Sequence, residues 1–226
     1  MQSLLSFHKC AVGDSTHQQV CEFAAAGYKS RYGVDLEIFP DIFIYAMIPN
    51  EKVVGCFGAC FGSHHTRLTT EWYVSEQDLS AFVGSPISTF PREKLCEIGT
   101  RVVNVPPGTS TNSVRISVAM SAALLLHLYE KGSRFSLFTA DRSVRVIAKQ
   151  LCIDLVQFGT PDLSSRDSSY LAQWHSYFEV PRECFGFDLK QAVRGCYRMC
   201  HELRRLGFVF DPALLALAGE QSALAS

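Results

Sequence analysis

Apolar residues change their spacing several times along the chain, and each change marks a predicted element. Helical spacing runs from Ser15 to Gly33, and Ser15 with Gln18 three positions later has the pattern of a capping box. Two β-rich apolar runs follow at residues 42–48 and 53–61, joined by a short polar turn. This arrangement predicts one helix and then an antiparallel hairpin.

The middle of the chain alternates between strands and helices. Residues 68–74 predict a further strand, and residues 75–92 predict a short helix with a loop. An apolar strand at 95–103 leads through a loop rich in Pro, Gly, Ser and Thr into a helix at 113–131. That helix is apolar nearly all round, so we expect neighbours on several sides of it. A short buried strand at 135–140 completes a strand, helix, strand order.

Another helix and strand follow. Asp141 can cap a helix that ends near Leu151, and residues 154–158 predict a strand. A polar linker at 162–173 then precedes an aromatic segment at 174–178. The pattern from 95 to 158 is therefore strand, helix, strand, helix, strand.

Two helices are predicted at the end of the sequence. One covers residues 189–206, and the other begins at Asp211-Pro212 and stops at Gly219. We therefore expect an α/β (α+β) fold, with a mixed central sheet flanked by helices. The main domain is predicted at residues 1–188 and a C-terminal helical extension at 189–226.

Composition and charge exclude several classes of function. The 226 residues carry a formal net charge of −1, so the chain lacks the basic excess that a nucleic-acid-binding surface needs. Its nine cysteines are scattered, odd in number and mostly inside apolar runs, which favours reduced thiols. We find neither a charged leader with an apolar core nor a run of roughly 20 apolar residues. A cytoplasmic protein without stable membrane insertion is the expectation.

The strand at 95–103 and the helix at 113–131 predict a ligand crevice, with Glu97 in its floor. The first N–H groups of a helix lack internal partners, so they favour a phosphate, carboxylate or thioester oxygen. Ordinary capping by Ser or Asn explains the same loop equally well. The candidate cofactor-binding residues are Val102, Val103, Thr109, Ser110, Thr111, Asn112 and Ser113.

Several short segments carry a resemblance to a known family. They are YKSRYG at 28–33, Val54-Gly55, TEWY at 70–73, EIGT at 97–100, FTA at 138–140 and WHSYF at 174–178. In this order they resemble the blocks of the thermostable hemolysin family, which looks like a relative of the GNAT acyl-CoA N-acyltransferases. The resemblance covers about residues 22–189. It implies a GNAT-like fold and transfer of an acyl group from acyl-CoA or an acyl-carrier protein thioester to a small amine.

More distantly, residues 53–56 and the later Glu97 resemble acyl-homoserine-lactone synthases. Those synthases carry arginines where this chain has Gly58 and Thr100, and residues 106–112 replace the glycine-rich pyrophosphate loop of GNAT enzymes. Two alternatives therefore stay open: an autoinducer-synthase-like enzyme using S-adenosylmethionine and acyl-carrier protein, or a catalytically inactive small-molecule or acyl binding module. Direct membrane lysis lacks a basic amphipathic helix to support it.

Acyl transfer to an amine needs a base, and the candidates are Glu97 and Glu71. A carboxylate in an apolar strand has a raised pKa and can take the proton of an amine. Alternatively, hydrogen bonds satisfy Glu97, or it pairs with Arg101 on the same face of the strand. Glu71 either faces the same cleft from a neighbouring strand or is a solvated edge acid.

The candidate substrate-binding residues surround the same crevice. Arg101 could bind a substrate carboxylate or phosphate. Trp174 and Tyr177 could wall an acyl channel or simply plug the core. The resemblance adds Trp72, Thr100 and Phe138.

Partners and metals complete the expectations. We expect a small-molecule amine and a thioester donor; an acyl-carrier protein could dock on the basic helix at 189–206, and a homodimer stays open. Cys196 and Cys200 share a helix face with His201 next to them, but no fourth ligand is spaced to close a metal site. Core-facing thiols are expected there, and no metal.

Overall fold

A computed structural model of the protein describes residues 5–49, 52–63, 66–107 and 111–214. Their strands form one eight-stranded mixed sheet. The strands are β1 (Ser6–Ala11), β2 (Ile42–Ile48), β3 (Lys52–Phe61), β4 (Leu95–Val103), β5 (Phe135–Ala140), β6 (Val156–Gly159), β7 (Glu183–Asp188) and β8 (Val209–Phe210). The helices are α1 (Ser15–Tyr32), α2 (Glu76–Val83), α3 (Ser113–Glu130), α4 (Val144–Gln150), α5 (Ser168–Glu179) and α6 (Leu189–Arg205), with short 3-10 turns at Thr69–Trp72, Ile87–Thr89, Arg92–Lys94 and Pro212–Leu214.

The strand order across the sheet is β6-β7-β5-β4-β3-β2-β1-β8. Strands β1 to β4 pair antiparallel in sequence order, whereas β4 and β5 pair parallel through the crossover helix α3. Strand β7 inserts antiparallel between β5 and β6, and β8 pairs parallel with β1. The fold is the expected mixed central sheet flanked by helices.

The two faces of the sheet bury different helices because side chains alternate along each strand. On β2, Ile42 and Ile44 belong to the large core that contains α3 and α6, and Phe43 and Tyr45 belong to the core under α1. The apolar surround predicted for α3 is confirmed, since most of its residues from Ile116 onward are buried.

Several predicted elements are confirmed closely. Helix α1 ends at Gly33, whose φ of 68° lies in the left-handed region that favours glycine. The hairpin of β2 and β3 and the strand β5 also form as the apolar runs predict. Asp14 rather than Ser15 precedes α1, and its carboxylate accepts from the N–H of Ala11 at 2.7 Å, so the predicted capping box is wrong.

Other predictions are wrong. Residues 68–74 contain the 3-10 turn Thr69–Trp72 instead of a strand, because the N–H groups of Thr69 and Thr70 donate to Glu97 and not to a neighbouring strand. The predicted linker 162–173 contains the first half of α5, which also carries the aromatic segment. Strands β1 and β7 are additional to the predicted elements.

The C-terminal part of the described chain belongs to the main core. Cys196 and Cys200 of α6 are buried in the same cluster as α3, and β8 adds Phe210 to it. The predicted final helix at 211–219 falls largely outside the described residues, and the domain boundary at 188 stays a prediction. Within the described helices, none combines the length and apolar character needed to cross a membrane.

Candidate active site

The parallel strands β4 and β5 separate directly after Glu97. Their ladder pairs only Leu95 to Glu97 with Phe135 to Leu137, although both strands continue beyond it. Beyond Glu97, the N–H and C=O groups of β4 that face β5 form no ladder with it among the described residues. A cavity of about 620 Å³ opens there, lined by β4, β5, α1 and α5. This volume is ordinary for a small-molecule site.

An irregularity in β4 lies at the wall of the cavity. Gly58 of β3 pairs with Gly99 and Cys56 pairs with Val102, so two residues of β4 oppose Phe57 alone. One of them is Thr100, whose φ of 52° is uncommon for a residue with a side chain. Thr100 and Arg101 both line the cavity, as Glu97 does.

Glu97 is held by the 3-10 turn Thr69–Trp72. Its carboxylate accepts from the N–H of Thr69 at 2.5 Å, the N–H of Thr70 at 3.0 Å and the hydroxyl of Thr70 at 2.6 Å. Burial raises the pKa of Glu97 to about 7, although these hydrogen bonds favour the charged form and limit the rise. A carboxyl with this pKa exchanges a proton readily at neutral pH.

Glu71 belongs to the same turn but does not line the cavity. It is only 3% exposed, accepts from the N–H of Leu68 at 2.7 Å and forms two hydrogen bonds with the guanidinium of Arg92. The expectation that Glu71 faces the cleft is wrong, and so is its alternative as a solvated acid. Both expectations assumed a strand at residues 68–74, whereas Glu71 lies in a 3-10 turn.

Arg101 does not pair with Glu97; within the described residues it has no carboxylate at ion-pair distance. Its guanidinium lies 6.0 Å from the ring centre of Phe57, and burial lowers its pKa while the charge of Asp141 opposes that effect. The guanidinium of Arg101 is therefore a poorly hydrated cation in the same cavity as the carboxyl group of Glu97, four residues earlier in the chain.

Aromatic side chains form much of the remaining wall. Trp174 packs edge to face on Tyr177, and both rings contact Tyr28 of α1. The Tyr177 hydroxyl donates to the carbonyl of Thr139 at 3.4 Å, which ties α5 to β5 beside the gap. The structure thus brings together all six predicted substrate-facing residues, namely Trp72, Thr100, Arg101, Phe138, Trp174 and Tyr177.

The predicted cofactor-binding loop lies apart from this cavity as far as it is described. Asn112 caps α3 by accepting from the N–H of Arg115 at 2.9 Å, which is the capping alternative. Thr109 and Ser110 fall outside the described residues, so an anion cradle in this loop stays a prediction. The other candidates, Val102, Val103, Thr111 and Ser113, are likewise absent from the described cavity lining.

Sequence reasoning missed several residues of the cavity. Arg182 lies over the ring of Tyr177 at 4.1 Å and pairs with Asp141 at 3.3 Å. Arg166 lies over three aromatic rings, the nearest being Tyr170 at 4.5 Å. Neither arginine stands in a periodic pattern, whereas the Tyr28 and Thr70 segments were already visible as family-like blocks.

The cysteines are all free thiols. Cys60 lines the cavity, but burial raises its pKa to about 12, so it is a poor nucleophile. The sulfur of Cys21 lies 3.5 Å from Nδ1 of His17, but neither residue lines the cavity. In the described parts of the chain, no group of three or more His, Cys, Asp or Glu could hold a metal ion.

Comparison with known proteins gives one family and a consistent set of folds. A family model described as thermostable hemolysin matches residues 10–193. The search of curated proteins gives no match. The acyl-homoserine-lactone synthase LasI aligns with a TM-score of 0.57 and 11% identity, covering 87% of this chain and 96% of LasI.

Two further structures have the same fold. The CoA-dependent acyl-homoserine lactone synthase BjaI, with SAM and isopentyl-CoA, aligns with a TM-score of 0.58 and 11% identity over 92% of each chain. FeeM, an N-acyl amino acid synthase from uncultured soil microbes, aligns with a TM-score of 0.53 and 9% identity over 82% of this chain and 92% of FeeM. These neighbours are enzymes that handle acyl groups.

Proposed function

The chain belongs to the thermostable hemolysin family, and we propose that it transfers an acyl group from an acyl thioester to a small amine beside Glu97. The observation that carries this proposal is the position of Glu97. A carboxyl group with a pKa of about 7 lies where two parallel strands part, at the floor of a cavity large enough for two small reactants.

The reaction is balanced with Glu97 as a proton carrier. The nitrogen of a neutral amine attacks the thioester carbonyl, a C–N bond forms, and the carboxylate of Glu97 takes one N–H proton. The C–S bond then breaks, and Glu97 returns the proton to the departing sulfur. The products are an amide and a thiol, and Glu97 ends in its starting state.

The gap between β4 and β5 suits the thioester. Backbone N–H groups directed into it are free of ladder bonds among the described residues, so they can donate to the carbonyl oxygen as negative charge develops there. The apolar wall of Phe138, Trp174 and Tyr177 suits an acyl chain. A thioester donor also agrees with the fold shared with BjaI, whose structure contains isopentyl-CoA.

The donor is either acyl-CoA or acyl-carrier protein, and the test uses both. Purified protein is incubated with acyl donors of increasing chain length and a panel of amines, and thiol release and amide formation are followed by mass spectrometry. Glu97→Gln is expected to fold normally and to lose at least about a hundredfold in rate, the usual contribution of a general base.

The matched control is Glu93→Gln, which changes an exposed glutamate in the 3-10 turn just before β4. This variant is expected to keep the rate of the parent protein. Unchanged turnover in Glu97→Gln would remove Glu97 from the mechanism. A lactone formed from S-adenosylmethionine and acyl-carrier protein, with no amide from other amines, would favour the autoinducer-synthase alternative instead. Tight ligand binding without conversion would favour the inactive binding module.

A further inference from the structure

The cavity carries an excess of positive charge. Five arginines line it against three acidic residues, whereas the whole chain has a formal net charge of −1. The arginines are Arg31, Arg67, Arg101, Arg166 and Arg182, and the acids are Glu37, Glu97 and Asp141. The positive charge is therefore a local property of the cavity, and it favours an anionic ligand.

Some of these arginines already have protein partners. Arg182 pairs with Asp141 at 3.3 Å and donates to the carbonyl of Tyr177 at 3.2 Å. Arg67 pairs with Glu76 at 3.5 Å. These guanidinium groups contribute to the structure of the wall.

Within the described residues, Arg31, Arg101 and Arg166 have no ion pair, and of these three only Arg31 is exposed. Arg166 is held by aromatic faces, and its buried Nε has no hydrogen-bond partner among the described residues. Arg101 projects from β4 into the cavity, on the same strand as Glu97. A cation withdrawn from bulk water and without a carboxylate at ion-pair distance is costly unless a ligand supplies one.

We infer that the acceptor amine also carries a carboxylate, which the guanidinium of Arg101 binds while Glu97 takes the proton of the amine. This inference rests on the proposed function and names the class of acceptor, an amino carboxylic acid. A guanidinium presents two parallel N–H groups that match the two oxygens of a carboxylate. Arg101 is thus a substrate-binding residue that orients the amine toward Glu97.

The spacing along β4 allows one small molecule to meet both groups. Four residues of a regular strand span roughly 13 Å, and the extra residue of β4 beside Phe57 shortens that span. Glu97 and Arg101 both line the cavity beside this stretch. The aromatic wall opposite them accepts an apolar side group on the acceptor.

Binding in the absence of any thioester tests the inference directly. L-phenylalanine, L-methionine and 5-aminopentanoate are each compared with the amine that lacks the carboxylate, by calorimetry and by the shift in melting temperature. At least one acid is expected to bind about tenfold or more tightly than its matched amine, as a charge-assisted bidentate pair provides.

The variants assign that difference to Arg101. Arg101→Gln is expected to abolish the preference for the acid, and Arg101→Lys to keep only part of it, because lysine retains the charge but not the fork of N–H groups. Arg194→Gln makes the same change on the exposed face of α6 and leaves the preference intact. Circular dichroism of each variant verifies folding, and the lysine variant carries the test if the glutamine variant unfolds.

Three binding results would overturn the inference: equal affinity for every acid and its amine, a preference that survives in Arg101→Gln, or tighter binding of an aminoalkyl phosphonate than of the carboxylate. Acylation of amines without a carboxylate as fast as of amino acids would refute it while leaving the transferase proposal in place. If acids bind in an Arg101-dependent way but no donor supports acyl transfer, the carboxylate site stands and the transferase proposal is refuted.

Discussion

Glu71 and Glu97 accept hydrogen bonds from successive N–H groups at the start of one 3-10 turn. The N–H of Leu68 donates to Glu71, and the next two N–H groups, from Thr69 and Thr70, donate to Glu97. Glu71 is in turn fixed by Arg92. We therefore predict that the buried ion pair of Glu71 and Arg92 fixes the turn that binds Glu97, with Glu71 as a positioning residue and not a second base.

Replacing Glu71 by Gln should affect both stability and the proton affinity of Glu97. Breaking a buried ion pair costs about 3 kcal/mol of unfolding free energy. The negative charge of Glu71 also raises the pKa of Glu97, so its removal should lower that pKa. Urea unfolding measures the first effect, and NMR titration of the Glu97 carboxyl measures the second.

The control for Glu71 is Glu76→Gln, whose partner Arg67 is exposed. That pair lies at 3.5 Å on the surface and should contribute less than about 1 kcal/mol. Equal destabilisation by the two substitutions, or an unmoved Glu97 titration in Glu71→Gln, would contradict the positioning role.

Thr70→Val should move the titration of Glu97 in the opposite direction. The Thr70 hydroxyl donates to the carboxylate at 2.6 Å and stabilises its charged form, so its loss raises the pKa of Glu97 by about one unit. Thr69→Val is the matched control, because Thr69 binds Glu97 through its backbone N–H alone. A Thr70→Val protein that titrates like the parent would show that this hydroxyl does not stabilise the carboxylate.

Between pH 4.5 and 6.5 the stability should depend little on pH, because two buried groups oppose each other. The pKa of Glu97 is raised from 4.5 to about 7, so its contribution is present below pH 4.5 and is lost as pH rises through 7. Burial, assisted by Lys9 and Lys131, lowers the pKa of His127 from 6.5 to about 4, so its contribution is present above pH 6.5 and is lost as pH falls through 4. Each amounts to about 3 kcal/mol.

Single substitutions should reveal how each group alone changes the unfolding free energy with pH. In Glu97→Gln the unfolding free energy should rise between pH 4.5 and 6.5, because His127 alone remains. In His127→Gln it should fall over the same range, because Glu97 alone remains. Urea unfolding across this range measures both, and parallel slopes in the two variants would show that at least one shift has been assigned the wrong sign.

Gly195→Ala tests how closely α6 packs. A Cβ at this position would lie 1.8 Å from the backbone oxygen of Leu151. The helix gain from Ala is about 1 kcal/mol, whereas forced repacking costs about 3 kcal/mol, so net destabilisation is expected. Gly99→Ala, where a Cβ meets nothing within 4 Å, is the control in thermal unfolding. A stabilised Gly195→Ala protein would mean that α6 lies farther from residue 151.

Local patterns predicted those parts of the fold that local interactions determine. The periodicity of α1 and the apolar runs of β2 and β3 are properties of adjacent residues, so these elements form as expected. The segment 68–74 has β-rich composition, but its N–H groups bond to Glu97, 27 and 28 residues away. No local pattern contains that contact.

The residues of the candidate site also fall into two groups, those that local sequence could place and those that only tertiary packing brings in. Glu97 and Arg101 could be placed together because one strand carries both. Arg166 precedes α5 and Arg182 follows it, and both reach the cavity through tertiary packing, where no periodicity marks them. Strand β7 was missed for a related reason, since its six residues are bounded by Glu183 and Asp188, and charged ends obscure a short buried run.

The pairing of β8 with β1 has a consequence for biosynthesis. The two strands lie about as far apart in sequence as the described chain permits, yet they share a ladder at residues 6–7 and 209–210. During synthesis of the residues between them, the edge of β1 that will bind β8 has no partner strand. An unpaired strand edge promotes association between chains. Nascent molecules should therefore need protection until β8 emerges and closes that side of the sheet.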